Sequence, residues 1–381
     1  MLLVACGSGE APPEAAPPDA PSDAERARLQ ALGYVDASRE PADAGLAGVV
    51  VHDAARVQPG YRLFSADTAC EADLIDVDGA LVRRWNGAPC SKWSHAQLLE
   101  DGSLLVAGEH RFDPADPKPS YLRRYAFDGR LVRHWPIHAH HDAAPLPDGS
   151  LLALVLQEFR DPEVFAGGVV VDNPILPISP QGRSGRPVSL HETMKALDGA
   201  CPFRTPVESN PGKAEPLHMN SIQWIPGPRP QVLISTRHQD CIYRIDWETK
   251  RVVWAWGRGE LDGPHDATRL ANGNVLVFDN GMVRGWSRVL EVEPGSGRIV
   301  WEYPGEGDPP FYTRGRGGSQ RLPNGNTLIA ESNEGRAFEV TRDGEIVWEY
   351  YNPRFIDGHR AAIIRMRHYP AAMIEPLLAG G

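Results

Sequence analysis

Residues 263–281 read GPHDATRLANGNVLVFDNG: a short run, ATRL, a tight turn, ANGN, and an apolar run, VLVF. Runs of that length bounded by Asn-Gly or Asp-Gly predict strand, turn, strand. The phrase recurs along the chain. LLEDG, PLPDG, RLANG and RLPNG lead into SLLVAG, SLLALV, NVLVFD and NTLIAE. A third run then reaches another turn, as in LIDVDG, RYAFDG, LEVEPGSG and FEVTRDG, and a fourth ends in tryptophan. Trp254, Trp301 and Trp348 are evenly spaced, and Trp85 and Trp135 stand a similar distance apart. Four strands repeated about every 40–50 residues are the signature of propeller blades.

The pattern predicts an all-β, six-bladed β-propeller over residues 46–381, with blades ending near residues 85, 135, 191, 254, 301 and 348. In the third blade the hairpin NPILPISPQGR…PVSLHE puts His191 in the tryptophan position. Extra chain at about 158–172 and 197–216 is expected to form long loops, which often carry function. Either AGVVVHD (47–53) or AAIIRMRHY (361–369) closes the ring, and the pattern leaves both open. Ahead of the propeller, residues 22–45 read as a short helix and linker, with Ser22 as N-cap and Leu29 and Leu32 at helical spacing. Residues 1–21 read as a Pro/Ala-rich tether.

Charge and cysteines narrow the setting. A net charge of −11 excludes a nucleic-acid partner held through phosphates. No apolar run is long enough to span a membrane. LVAC, ending at Cys6, resembles a bacterial lipobox with Cys6 as the lipidated residue, and the tether behind it suits an anchor. Only five residues precede Cys6, so either the leader begins upstream in frame or LVAC is a coincidence in a cytosolic chain. The anchored reading places the protein on the periplasmic or cell-surface side of the outer membrane. Cys70, Cys90, Cys201 and Cys241 allow three connectivities. Cys70–Cys90 and Cys201–Cys241 each fall within one or two adjacent repeats and are the expected pairs; four free thiols are the cytosolic alternative.

Candidate chemistry comes from the register. His141 in HHDAAPLPDG and His265 in PHDATRLANG fall at the same distance before the turn glycine, and His218 starts the matching strand of its blade. First strands of propeller blades line the central channel, so these histidines converge at one mouth. Arg237, after the second strand of the His218 blade, adds a guanidinium fork suited to an oxyanion, or else is a surface residue paired with Asp240. The HAHH run at residues 138–141 has no carboxylate or cysteine at ligand spacing, so no metal and no cofactor is assigned.

HMNS (His218, Asn220, Ser221), ISTR ending at Arg237, WAWG (Trp254–Gly257), PHDATRLANGNVLVFDNG and SQRLPNGNTL together resemble the bacterial arylsulfate sulfotransferase family. VVHDAARVQPGYRLF (residues 50–64) is similar to that family's start. The resemblance implies an extracytoplasmic propeller that moves a sulfuryl group from an aryl sulfate donor to a phenolic acceptor without a nucleotide sulfate. It implies His265 as covalent carrier, with His218, Arg237 and His141 catalytic. Asn220 and His140, and a hydroxyl from Ser319 or Thr313, would bind substrate. Two other readings stay open: a propeller that binds a ligand or protein and turns nothing over, and a metal-dependent hydrolase or lyase built on the channel histidines.

Overall fold

The computed structural model describes residues 38, 43 and 45–380 apart from 67–69, 88–89, 91, 110–119, 167, 198, 205–207, 211 and 308–309. Cys6, the tether and the short helix expected to follow Ser22 lie outside the described residues. Among the described residues the chain is all-β, with short helices at His191–Lys195 and Ala371–Ala379.

Six antiparallel sheets follow one another. The first contains Tyr61–Ala66, Glu71–Ile75 and Leu81–Asn86, and Met366–Tyr369 joins it as the innermost strand. The second runs from Lys92–Leu98 to Leu131–Trp135, and the fourth from Met219–Ile225 to Val252–Trp256. The fifth runs from His265–Arg269 to Arg298–Tyr303. The sixth runs from Gly318–Arg321 to Ile346–Tyr351 and gains Gly48–His52 on its outer edge. Both candidate closing segments are therefore used, and residues 361–369 supply the inner strand.

The burial pattern follows from this arrangement. Val275–Asp279 is buried throughout, because sheets pack on both of its faces. Arg298–Tyr303, on an outer edge, alternates between half-buried and exposed positions. Six apolar clusters fill the gaps between neighbouring sheets, and one of them joins the sixth sheet to the first through Leu328, Trp348, Phe64 and Ile75. The repeated tryptophans explain the order. Trp85 Nε1 donates to Ala126 O, Trp135 to Gly182 O, Trp254 to Pro294 O and Trp301 to Arg342 O, each in the outer turn of the next sheet. Trp348 donates to Val77 O of the first sheet at 2.7 Å and closes the circuit. Trp85, Trp135 and Trp348 are buried and Trp254 and Trp301 half-buried, and each finds one partner for its N–H, which is what a tryptophan taken out of water requires.

The third sheet departs from the expectation. It has three strands, Ala139–Pro145, Leu151–Val155 and Ile175–Ile178. The chain after Ile178 makes only single bridges, Ser184 with Ile178 and Val188 with Ile175, and His191 starts a helix. Pro187 has no N–H to give a ladder, which disfavours a strand there. The two stretches expected to be loops also differ. Gln157–Phe159, Val169–Asp172, Lys213–Ala214 and Glu208–Asn210 form a small sheet of their own. Cys70–Cys90 and Cys201–Cys241 form the two disulfides, and the second ties this insertion to the fourth sheet.

Candidate active site

The histidine-bearing starts of the inner strands are irregular. His141 and His218 have φ of 55° and 48°, and Asp266, just after His265, has 54°. The ladders of all three strands skip a residue nearby. Left-handed backbone at non-glycine residues costs about 1–3 kcal/mol each and persists where surroundings enforce it. Here the polar residues that follow the histidines enforce it. Asp142 Oδ2 accepts from Ile222 N at 3.1 Å, Ser221 Oγ from Ala267 N at 3.1 Å and Asp266 Oδ2 from Ser319 N at 2.8 Å. Each bond pins an inner strand to its neighbour. That accounts for the aspartate in HHDA and PHDA.

The result is a pocket lined by Lys92, Ser94, His141, Asn220, His265, Arg316, Ile364 and Arg365. His265 is 3% exposed. Its Nδ1 lies 2.7 Å from Asn280 Oδ1 and 3.1 Å from Gly263 O. Asn280 Nδ2 donates to Thr313 O and Arg316 O at 2.8 and 2.7 Å, so the amide oxygen must face the imidazole. Both neighbours of Nδ1 are acceptors, hence Nδ1 carries the proton. The lone pair is on Nε2, where it accepts a long contact of 3.3 Å from Arg316 N–H. Burial, then the charges of Arg237 and His218, hold the His265 pKa well below its usual value. At neutral pH this is a neutral imidazole with one fixed tautomer, the state a nitrogen nucleophile needs.

His141 Nε2 and His218 Nε2 are 3.1 Å apart. Glu215 Oε2 lies 2.7 Å from His218 Nδ1 and fixes the proton there. Burial pushes the His218 pKa down to about 3, against the opposing pull of Glu215. Asn220 Nδ2 donates to Pro264 O at 2.8 Å, and Ser235 donates to its oxygen, so Asn220 also steadies the His265 strand. Arg237 is buried rather than on the surface, and the Asp240 carboxylate is taken by Arg204 and by Gly263 N–H. The Thr313 hydroxyl is engaged by Gly315 O and Asn333 and holds the loop that carries Arg316. Ser319 is fully buried on its inner strand. Neither hydroxyl lines the pocket.

Several site residues are visible only in the fold. Asn280 stands in the quoted FDNG turn but has no register partner. Glu215 and His238 come from the insertion and from the loop after Arg237. Arg365 comes from the closing segment, with its guanidinium 3.0 Å from Asp142 Oδ2 and 2.6 Å from Asn220 O.

The sequence matches the family model Arylsulfotransferase (ASST) over residues 136–353, a span that contains His140, His141, His218, Arg237, His265 and Asn280. The chain belongs to the arylsulfotransferase family. No curated protein matches the sequence. Among solved structures, a protein of unknown function from Bacteroides caccae is similar with TM-score 0.54 at 14% identity, over 81% of this chain and 98% of that one. A chain of a nidogen/laminin complex is similar with TM-score 0.50 at 9% identity, over 80% and 97%. A streptogramin B lyase has TM-score 0.45 at 13% identity, over 85% and 88%. The first two likenesses concern the fold alone.

Asn280→Ala is expected to free the His265 ring to adopt either tautomer. Transfer should fall on the order of 10²-fold or more, as when the orienting group behind a catalytic histidine is removed. The donor KM should stay nearly unchanged; a variant with wild-type kcat would take Asn280 out of the mechanism.

Proposed function

We propose that the chain is a six-bladed β-propeller sulfotransferase that moves a sulfuryl group from an aryl sulfate ester to a phenol through a covalent intermediate on His265. The observation that carries this reading is the His265–Asn280 pair. It presents an unprotonated Nε2 to a pocket with Lys92, Arg316 and Arg365 in its walls, within a chain of the arylsulfotransferase family. The six sheets and their six intervening cores support the blade count.

In the first half-reaction the Nε2 lone pair attacks sulfur. The N–S bond forms as the S–O bond to the aryl group breaks, and the phenolate leaves with that bond's electrons. Charge that develops on the imidazole spreads to Nδ1–H, where Asn280 Oδ1 and Gly263 O accept it. Sulfuryl transfer, like phosphoryl transfer, places charge on the equatorial oxygens, and the cationic and N–H groups of the pocket face that charge. Burial keeps the carrier neutral, and the positive charge of Arg237 adds to it. In the second half-reaction the acceptor oxygen attacks sulfur as the S–N bond breaks, the electrons of that bond return to Nε2 and regenerate His265, and the acceptor's proton passes through solvent to the phenolate released in the first half-reaction. The two disulfides support an oxidising compartment outside the cytoplasm, with a lipid anchor at Cys6 as part of the same reading.

Incubation of the full chain with 4-nitrophenyl sulfate and phenol tests the proposal. Nitrophenolate release that depends on the phenol, with phenyl sulfate as co-product, is the expected result. Absence of turnover across aryl sulfates would leave a binding propeller.

A further inference from the structure

The imidazoles beside His265 have a geometry that suits more than the binding of a sulfuryl group. His140, His141 and His218 each offer one ring nitrogen, and these atoms lie within 4.8 Å of one another. The Nε2 atoms of His141 and His218 face each other at 3.1 Å. Zinc holds imidazole nitrogens at about 2.0–2.1 Å, and two such bonds at the tetrahedral angle leave the nitrogens about 3.3 Å apart. The observed spacing is that of an N–H···N hydrogen bond, and it is also close to that of two ligands of one ion.

The surroundings fit as well. His140 packs on both rings, with centroids 4.0 Å from His141 and 5.3 Å from His218. Its Nδ1 is buried and has no hydrogen-bond partner among the described residues. Behind His218, Glu215 Oε2 accepts from Nδ1 at 2.7 Å, while Glu215 Oε1 accepts from Asn173 Nδ2 at 2.9 Å. A hydrogen-bonded carboxylate on the far nitrogen of a ligating histidine fixes the tautomer and aims the other lone pair at the metal. The HAHH run showed no such carboxylate, because Glu215 reaches it only through the folded insertion.

We propose that His140, His141 and His218 bind one divalent transition-metal ion of the zinc class, with Glu215 as the supporting carboxylate behind His218. Three imidazoles suit zinc, copper or nickel; calcium and magnesium want oxygen ligands that this cluster lacks. The proton shared between His141 and His218 moves to an outer ring nitrogen when the ion enters. The inference stands apart from the sulfotransfer reading, and the two intersect in one way. An ion on the His141 and His218 nitrogens removes them from any sulfuryl oxygen, so metal and donor compete.

The test titrates the full chain, stripped with chelator, with Co²⁺ followed by visible absorption and with Zn²⁺ followed by calorimetry. One equivalent of Co²⁺ should give d–d bands, and Zn²⁺ should displace it. Glu215→Gln, nearly isosteric, should weaken Zn²⁺ binding about 10–100-fold. His140→Asn and His218→Asn, confirmed as folded by circular dichroism, should lose the stoichiometric site, and His191→Asn, in a separate cluster, should keep it. Wild-type affinity in folded His140→Asn, or less than one equivalent bound by the native chain, overturns the proposal. A chain that binds Zn²⁺ but transfers no sulfuryl group retains this inference and loses the sulfotransfer reading. The opposite result does the reverse.

Discussion

Replacing His265 with asparagine is expected to reduce exchange between phenols to the uncatalysed background while leaving the fold intact. A covalent carrier has no substitute among its neighbours, whereas the loss of one oxyanion donor costs about 10²–10³-fold. The fold should survive because the core of the fifth sheet lies elsewhere. Val275 and Val277 are fully buried against Ile242 and Leu261, and Leu276 and Phe278 pack with Val289 and Phe338. The new amide N–H can still donate toward Asn280 Oδ1, which avoids a stranded acceptor. The wild-type chain should show ping-pong kinetics, and brief exposure to donor should leave one sulfuryl group on the peptide that contains His265. Sequential kinetics without an adduct would point to direct transfer. Substantial activity in the His265→Asn protein would remove this residue as carrier.

How far the sequence reached depended on whether a residue repeats. The tryptophan period was legible because one physical task, an indole N–H bonded to the next outer turn, recurs at Trp85, Trp135, Trp254, Trp301 and Trp348. The third sheet broke the period, and the pattern there assigned a strand to a segment whose proline and short helix forbid one. His141, His218 and His265 were legible for the same reason as the tryptophans: equivalent starts of inner strands become neighbours in space. Their supports were not. Asn280, Glu215 and Arg365 each occur once, on three different kinds of segment: a turn, an insertion and the stretch just before the closing strand. A single polar residue outside the period carries no signal until the fold delivers it. Ser319 and Thr313 show the converse: the residue types fit, but Thr313 spends its hydroxyl on Gly315 O and Asn333, Ser319 is fully buried on its strand, and neither lines the pocket.

The buried His95 should make the protein acid-sensitive above the range where carboxylates titrate. His95 is buried, with Nε2 3.3 Å from Asp142 Oδ1 and Nδ1 3.4 Å from Arg365 Nη1. Burial lowers its pKa to about 4; Asp142 pulls upward and Arg365 and Arg367 add to the fall. The sign follows from proton counting. Between about 4 and the ordinary histidine value near 6.5, the unfolded chain binds a proton here that the folded chain refuses, so stability drops as pH falls through that window. Above about 6.5 neither state is protonated and the effect vanishes. At about 1.4 kcal/mol per pH unit, this one side chain is expected to remove roughly 3 kcal/mol by pH 4, a large fraction of the 5–15 kcal/mol typical of a folded protein. His265 is lowered in the same direction and adds to the slope. Urea midpoints at pH 7.5, 6, 5 and 4.5, with chelator present, measure it. His95→Asn should flatten the fall between pH 6.5 and 4.5 by about 1.4 kcal/mol per unit, even if it starts less stable at pH 7.5. An unchanged slope in His95→Asn would mean that His95 is already protonated in the folded state, paired with Asp142 as an ion pair, and that burial does not decide its charge.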